Sequence, residues 1–181
     1  MLYTRKGDNG TTKFFGCDQR MTKSSERAEA LGAVDEVNSL LGLVKVKAES
    51  EKLDVGGLVL EEIIEAVQQD LFIVQAILGG APKTLGAEKV LRLEQIVDSL
   101  EKEMPPIKTF FLAGGTEVSA LFDYARAVSR RVERRVVALS ERDPLPAEVL
   151  QYMNRLSSLL YAFARWVNLK TGVEQIPPSY E

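Results

Sequence analysis

Apolar residues recur at intervals of three and four along five long stretches of the chain, which is the spacing of amphipathic helices. In order, the stretches cover about residues 25–49, 59–78, 87–104, 117–139 and 146–170. The connectors between them are short, and none of them shows the alternation that is typical of a convincing strand. The pattern therefore predicts an all-α fold, a five-helix bundle that occupies residues 25–170 of a single 181-residue domain.

Helix-capping residues stand at the ends of several stretches. Ser24 or Ser25 can cap the first helix, and Thr116 can cap the fourth, with Glu117 in its first turn. The second helix is stopped by a Gly-Gly-Ala-Pro sequence at 79–82, and the third by a pair of prolines at 105–106. On these two helices we distinguish only a core face and a surface face, and predict no chemistry.

The fourth helix concentrates arginine. Its five arginines are Arg126, Arg130, Arg131, Arg134 and Arg135. Because Arg126, Arg130 and Arg134 advance only about 40° per step, they form a row opposite the apolar stripe, here called the arginine ridge. Glu133 and Asp123 fall on the ridge side, and Arg142 lies in the following loop. The ridge indicates either a polyanion site or a solvated face with carboxylate partners, and the helix alone leaves both open.

Composition narrows the possible functions. The 23 Lys and Arg against 26 Asp and Glu give a net charge of −3, so the chain is not a general nucleic-acid binder. No histidine is present, which removes Ser-His-Asp hydrolysis, most zinc sites and the Glu-x-x-His di-iron bundles. The single cysteine, Cys17, excludes an internal disulfide.

The hydropathy of the chain bears on its expected compartment. The first residues are polar and have no apolar core, so we expect no signal peptide. No apolar run approaches the ~20 residues needed to span a bilayer. We therefore expect a cytoplasmic protein with no membrane partner.

Residues 1–22 form a polar arm that precedes the first helix. Gly7 and Gly10 permit positive φ angles, which allow successive N–H groups to point inward as an anion-binding nest. Hydroxyls and cations crowd the same span, contributed by Thr4, Arg5, Lys6, Thr11, Thr12 and Lys13. The arm is not a Walker A motif, and a solvated turn or hairpin explains it equally well.

Three polar residues elsewhere stand out, and two of them, Asp35 and Asn154, have two possible roles each. Asn38 falls within the apolar stripe of the first helix, and Asp35 lies at the edge of that stripe. A buried Asp35 would need a cationic partner, whereas an exposed one would not. Asn154, off the stripe of the fifth helix on a face shared with Tyr161, is either a ligand-binding amide or a structural hydrogen bonder.

Four segments taken together resemble the PduO-type ATP:cob(I)alamin adenosyltransferases, a family of corrinoid adenosyltransferases. They are YTRKGDNGTT at 3–12, EALGAVDEVNS at 29–39, FFLAGGT at 110–116 with RAVSRRVER at 126–134, and NRLS at 154–157. The resemblance implies transfer of the 5′-deoxyadenosyl group of ATP to the cobalt of cob(I)alamin, with release of triphosphate and formation of adenosylcobalamin. It also implies a homotrimer with active sites between subunits and Mg²⁺ carried with ATP rather than held by protein side chains alone. A reductase and an adenosylcobalamin-dependent enzyme are the implied partners.

The resemblance also assigns roles to individual residues. The implied ATP-binding residues are Thr4, Arg5, Lys6, Gly7, Thr12, Lys13, Lys23, Arg130, Arg131, Glu133, Arg134 and Asn154. Arg130 and Arg134 would meet the phosphates and act in catalysis together with Phe110, which would lie below the corrin and keep the lower axial position of cobalt empty. Asp35 and Arg126 would form a salt bridge across the subunit boundary.

Departures from the family pattern are few. Ala113 stands where proline is usual, and Ser158 stands where an aspartate is usual. Arg5 and Lys6 replace a lysine followed by a smaller residue. The alternative to catalysis is an ATP- or corrinoid-binding helical oligomer that senses or delivers the cofactor, and a purely structural bundle is a third possibility.

Overall fold

The computed structural model describes residues 3–49, 52–55 and 57–180. It contains five long helices: α1 Glu26–Ala48, α2 Leu60–Leu78, α3 Ala87–Glu103, α4 Glu117–Arg142 and α5 Ala147–Lys170. The prediction of an all-α, five-helix fold is confirmed, and the predicted helix starts lie within one residue of the observed ones. One boundary was wrong, because α4 continues to Arg142, which is its last residue rather than part of the following loop.

Two of the predicted caps are present. The Ser25 hydroxyl accepts a hydrogen bond from the amide of Ala28 at 3.3 Å and so caps α1. The Thr116 hydroxyl accepts from the amide of Ser119 at 3.1 Å and caps α4. Each cap satisfies one of the N–H groups that a helix start leaves unpaired, which explains why these helices begin where they do.

Two small antiparallel ladders were not predicted. β1 Thr11–Thr12 pairs with β2 Met21–Thr22, and β3 Asp54–Val55 pairs with β4 Leu58–Val59. Strands of two residues are too short to produce a readable alternation of apolar and polar positions, so the sequence did not reveal them. The first ladder folds the N-terminal arm back on itself as a hairpin, one of the two forms that the sequence left open.

The helix α4 lies between α1 and α5, while α2 packs on α1 and α3 packs on α5. The apolar stripe of α4 is buried at Ala125, Val128, Val132, Val136 and Leu139. Phe122 of α4 and Phe163 of α5 pack with their ring centroids 5.0 Å apart. This packing places one side of α4 in the core and leaves the opposite side, with the arginine ridge, facing outward.

The helices α2 and α3 carry a buried polar cluster that the sequence analysis missed. Asp70 is only 1% exposed and accepts hydrogen bonds from Lys89 Nζ at 2.6 Å, from Tyr152 OH at 3.1 Å and from Arg92. Burial, followed by the negative charge of Asp70, raises the pKa of Tyr152 well above its usual value. The expectation of core and surface alone on α2 and α3 is therefore wrong at Asp70.

A second polar contact joins the ends of α3 and α5. Glu103 accepts hydrogen bonds from Lys170 Nζ at 2.6 Å and from Trp166 Nε1 at 3.0 Å. These two donors lower the pKa of the Glu103 carboxyl.

Across the described ranges, no helix combines the length and the apolar character that crossing a membrane requires.

Candidate active site

Two residues of the arginine ridge lie beside α5 and help to form a cleft. Arg130, Glu133, Arg134, Val137 and Asn154 line this cleft, which has a volume of about 260 Å³ and is here called the ridge cleft. The Asn154 Nδ2 donates to Glu133 Oε1 across 2.9 Å. The structure thus brings together four of the residues that the sequence analysis assigned to ATP.

The Asn154 amide is engaged at both ends. Arg155 Nη1 donates to Asn154 Oδ1 at 2.8 Å, and Arg155 Nε donates to Glu94 Oε1 at 2.7 Å. A carboxamide whose oxygen and nitrogen each have a partner of the right polarity has a defined orientation. Glu94 and Arg155 were not predicted, because a contact between α3 and α5 cannot be read from the pattern of one helix.

Arg131 and Arg135 lie on the α1 side of α4. Arg131 pairs with Glu36, Arg135 with Glu29, and Arg142 pairs with Glu26 at 3.0 Å. Arg131 lines a separate shallow cleft of about 270 Å³ with residues of α1 and so does not share the ridge cleft with Arg130. A contact between Arg131 and ATP stays a prediction.

Phe110 stands at a larger cavity of about 910 Å³, here called the Phe110 cavity. Its ring is 75% exposed. Arg130 lines this cavity as well as the ridge cleft, so the two spaces adjoin. A cavity of this size, with mixed polar and apolar walls, is typical of a site for a large ligand.

Several residues of the cavity wall were not singled out as site residues from the sequence. They include Lys108, Thr109, Ser157, Tyr161 and Tyr180. Tyr161 could have been found, since it lies seven residues after Asn154 and therefore on the same face of α5. Two of the three departures from the family pattern, Ala113 and Ser158, also line this cavity.

Asp123 is buried in the structure, whereas the helical spacing predicted it on the ridge side. It forms an ion pair with Arg165 of α5, and its Oδ2 accepts from the amide of Gly114 at 3.2 Å. Its Oδ1 remains 3.8 Å from Arg126 Nε. The reason is geometric: α5 packs against this edge of α4 and presents a buried guanidinium that the sequence of α4 does not reveal. Asp123 is therefore mainly the partner of Arg165.

Several of the predicted nucleotide residues of the arm lie in a turn that comes just before β1. This turn contains hydrogen bonds from Asp8 N to Arg5 O at 3.3 Å and from Gly10 N to Gly7 O at 3.1 Å. Arg5 and Gly10 have positive φ angles of 59° and 76°.

Lysine and threonine side chains border this turn. The Lys23 ammonium lies over Gly7, where an added Cβ would be 3.1 Å from Nζ. The Thr4 hydroxyl accepts from the amide of Lys6 at 3.5 Å, Thr12 belongs to β1, and Lys13 lies 3.8 Å from Asp18. Within the described residues, no hydrogen bond or ion pair joins the arm to Arg130, Arg134 or Asn154 of the same chain.

Asp35 and Arg126 do not meet within one chain. Asp35 is exposed, and its Oδ1 accepts from Gln75 Nε2 at 3.5 Å. Arg126 lies beside Asp123 and over the ring of Tyr161, 5.9 Å from its centroid. Its Nε is buried and has no hydrogen-bond partner.

In the part of the chain that the structure describes, no cluster of three or more Cys, Asp and Glu side chains could hold a metal ion.

Comparison with known proteins identifies the family that this chain resembles. The family model described as cobalamin adenosyltransferase matches residues 2–167. A corrinoid adenosyltransferase of Bacillus subtilis is 36% identical over 97% of this chain and 90% of its own length. The corrinoid adenosyltransferase PduO of Citrobacter freundii is 35% identical over 91% of this chain, which spans only 49% of that protein.

A solved structure is similar over its whole length. A variant of a PduO-type ATP:corrinoid adenosyltransferase from Lactobacillus reuteri, complexed with cobalamin and ATP, superposes with a TM-score of 0.88 and 29% identity. The alignment covers 98% of this chain and 99% of that one. With the matched family model, these similarities show that the chain belongs to the cobalamin adenosyltransferase family.

Proposed function

We propose that the protein transfers the 5′-deoxyadenosyl group of ATP to the cobalt of cob(I)alamin, forming adenosylcobalamin and triphosphate. The observation that carries this proposal is the position of Arg130, which lines both the ridge cleft and the Phe110 cavity. A nucleotide in the cleft and a corrinoid in the cavity would meet at this residue. The family membership supports the same reaction.

The reaction requires little covalent chemistry from the protein. Cobalt(I) attacks C5′ of ATP, a Co–C bond forms, and the C5′–O bond breaks with its electron pair leaving on triphosphate. Arg130 and Arg134 place two permanent positive charges where the negative charge of the leaving group increases. Glu133 and Asn154, bonded to each other, border the same cleft and orient the nucleotide.

Phe110 supports the corrinoid step. Its exposed ring projects at the cavity, and a phenyl group has no lone pair with which to coordinate a metal. With the lower axial position of cobalt left empty, reduction from cobalt(II) to cobalt(I) becomes easier. Tyr161 and Ser158, also on the wall, would border the macrocycle.

We further propose that the active protein is a homotrimer with sites between subunits. The ridge faces away from its own core, and Asp35 and Arg126 do not pair with each other within one chain. The arm residues Thr4, Arg5, Lys6, Gly7, Thr12, Lys13 and Lys23 would then wrap the phosphates of ATP bound at a neighbouring ridge. This arrangement supplies the contact between arm and ridge that one chain does not make.

The remaining components follow from the chemistry. Mg²⁺ prefers phosphate oxygens and few protein carboxylates, so we expect it to arrive bound to ATP. The reaction consumes cobalt(I), so a reductase must supply it, and an adenosylcobalamin-dependent enzyme would take the product. A reducing cytoplasm is the compartment in which we place the protein.

One anaerobic assay tests the proposal. ATP, Mg²⁺ and chemically reduced cobalamin are mixed with the protein, and the cobalamin spectrum and the released phosphates are followed. We expect a Co–C bond and one triphosphate for each adenosylcobalamin. Release of ADP alone, or absence of adenosylated corrinoid under strong reduction, would contradict the proposal. Either result would favour a non-catalytic protein that binds ATP or a corrinoid. Loss of calorimetric ATP binding on deletion of residues 1–13 would exclude a purely structural bundle.

A further inference from the structure

The loop that carries Phe110 ends in two glycines that lie against α5. Gly114 and Gly115 have φ angles of +127° and +118°, which other residues adopt only with strain. A Cβ added at Gly115 would lie 2.0 Å from Asn168 Oδ1, far inside van der Waals contact. The backbone of the loop therefore touches the side chain of Asn168 directly.

Asn168 binds this loop with both ends of its amide. It is 1% exposed, its Nδ2 donates to Gly114 O at 2.9 Å, and its Oδ1 accepts from Thr116 N at 3.4 Å. A buried carboxamide with both groups engaged holds the two backbone segments at a set separation. Asn168 does not line the Phe110 cavity.

Arg165, three residues earlier on α5, holds the same loop through Asp123. Arg165 is also 1% exposed, and its ion pair with Asp123 leaves that carboxylate 3.2 Å from the amide of Gly114. The guanidinium also lies 5.9 Å from the ring centroid of Phe111, the residue after Phe110. Gly114 is thus bound at its carbonyl by Asn168 of α5 and at its amide by Asp123 of α4, which is in turn paired with Arg165 of α5.

Phe110 has few packing contacts to fix its position, because the residue is 75% exposed. The position of its ring therefore depends on the backbone of the loop that carries it. We propose that Asn168 and Arg165 are positioning residues that set the place of Phe110 at the cavity and thereby the coordination state of bound cobalamin. This inference rests on the proposed function, since it assigns to Phe110 the role described there.

The inference predicts a selective defect. In Asn168→Ala the loop loses two backbone hydrogen bonds while the ridge cleft is untouched. We expect kcat for adenosylation to fall roughly tenfold to a hundredfold, the effect of displacing a reacting group by about 1 Å. The KM for ATP should remain near that of the unmodified protein. Electron paramagnetic resonance of cob(II)alamin bound with ATP should show a smaller four-coordinate fraction.

The matched control is Thr171→Ala. Thr171 lies about one turn further along and its hydroxyl donates to Val167 O at 2.8 Å and to Asn168 O at 3.3 Å. Its loss removes part-buried hydrogen bonds to the backbone at the end of α5, while the bonds between the Asn168 side chain and the loop remain. We expect unchanged kcat and an unchanged four-coordinate fraction. If Asn168→Ala fails to fold, Gly115→Ala displaces the loop from the other side and should give the same selective loss.

A double-mutant cycle decides whether Asn168 acts through Phe110. In the Phe110→Ala background, Asn168→Ala should cost little further activity, because the ring that it positions is absent. Additive losses, or a four-coordinate fraction unchanged by Asn168→Ala and Gly115→Ala, would overturn the inference. Failure of the proposed function is distinguishable, since the unmodified protein would then form no adenosylcobalamin.

Discussion

Asn154 of α5 and Glu133 of α4 are joined by a hydrogen bond of 2.9 Å from the amide nitrogen to the carboxylate. Both residues line the cleft that Arg130 and Arg134 border, so the bond orients the Asn154 amide beside the positive charges of the ridge. Arg155 completes the arrangement by donating to the amide oxygen. Arg130 and Arg134 of the ridge therefore border a connected set of polar side chains.

Arg130→Ala should reduce kcat/KM by about 10²- to 10³-fold, the usual cost of removing one donor to a developing negative charge. Arg142→Ala provides the control on the same helix, because Arg142 pairs with Glu26 across the α1 side, away from the ridge cleft. Steady-state kinetics with ATP and cob(I)alamin measure both. Equal losses in the two variants would argue against the assignment of the ridge.

Glu133→Gln should raise the KM for ATP about tenfold, corresponding to the loss of a charge-assisted hydrogen bond of about 1.5 kcal/mol to Asn154. The circular dichroism spectrum should not change, because the residue is at the surface of α4. Glu141→Gln removes the same charge from an exposed position about two turns later and should leave the KM unchanged. An equal rise of KM in both variants would indicate a general effect of net charge instead.

Charge reversal tests the predicted pair between subunits. Asp35→Arg and Arg126→Glu should each weaken the trimer and lower activity, because each places like charges across the boundary. The double variant should recover both properties in part, since it restores opposite charges. Sedimentation velocity and turnover measure the recovery. A double variant no better than either single one would show that the two residues are not coupled.

Tyr152→Phe should lower the free energy of unfolding by about 1 kcal/mol at neutral pH, through loss of the hydrogen bond to Asp70. The exposed Tyr124→Phe is the control. The raised pKa of Tyr152 also predicts that stability depends on pH in alkaline solution. As the pH rises past the usual tyrosine pKa of 10.0, Tyr152 loses its phenolic proton in the unfolded chain but keeps it in the folded chain. The free energy of unfolding therefore falls.

Chemical denaturation between neutral pH and about pH 11 measures this dependence. The unmodified protein and Tyr124→Phe should lose stability over this range, and Tyr152→Phe should lose less. Parallel curves for all three proteins would contradict a buried, protonated Tyr152 in the native state.

Much of the fold could be predicted because the information is local. Ser25 and Thr116 mark helix starts by the chemistry of their own hydroxyls, and the apolar stripe of α4 follows from a spacing that any single helix displays. The ridge of Arg126, Arg130 and Arg134 was visible for the same reason. The roles of Phe110 and Asp35, by contrast, came from resemblance to a family.

Residues whose role depends on a neighbouring helix were missed or misplaced. Asp123 was assigned to the ridge side from its angle on α4, yet Arg165 of α5 draws it into the core. Asp70 was not singled out, yet groups from α3 and α5 converge on it. A buried charge is stable only with partners, and those partners lie far away in sequence.

The sequence by itself determined the five helices, the caps at Ser25 and Thr116 and the arginine ridge, because each depends on residues within a few turns of one another. Only the tertiary structure decided that Arg130 borders two adjoining spaces, that Asn154 and Glu133 meet, and that Asn168 holds the loop of Phe110. These relationships arise from how α4 and α5 are packed side by side. Packing depends on the shapes of all the buried side chains at once, and no local pattern encodes it.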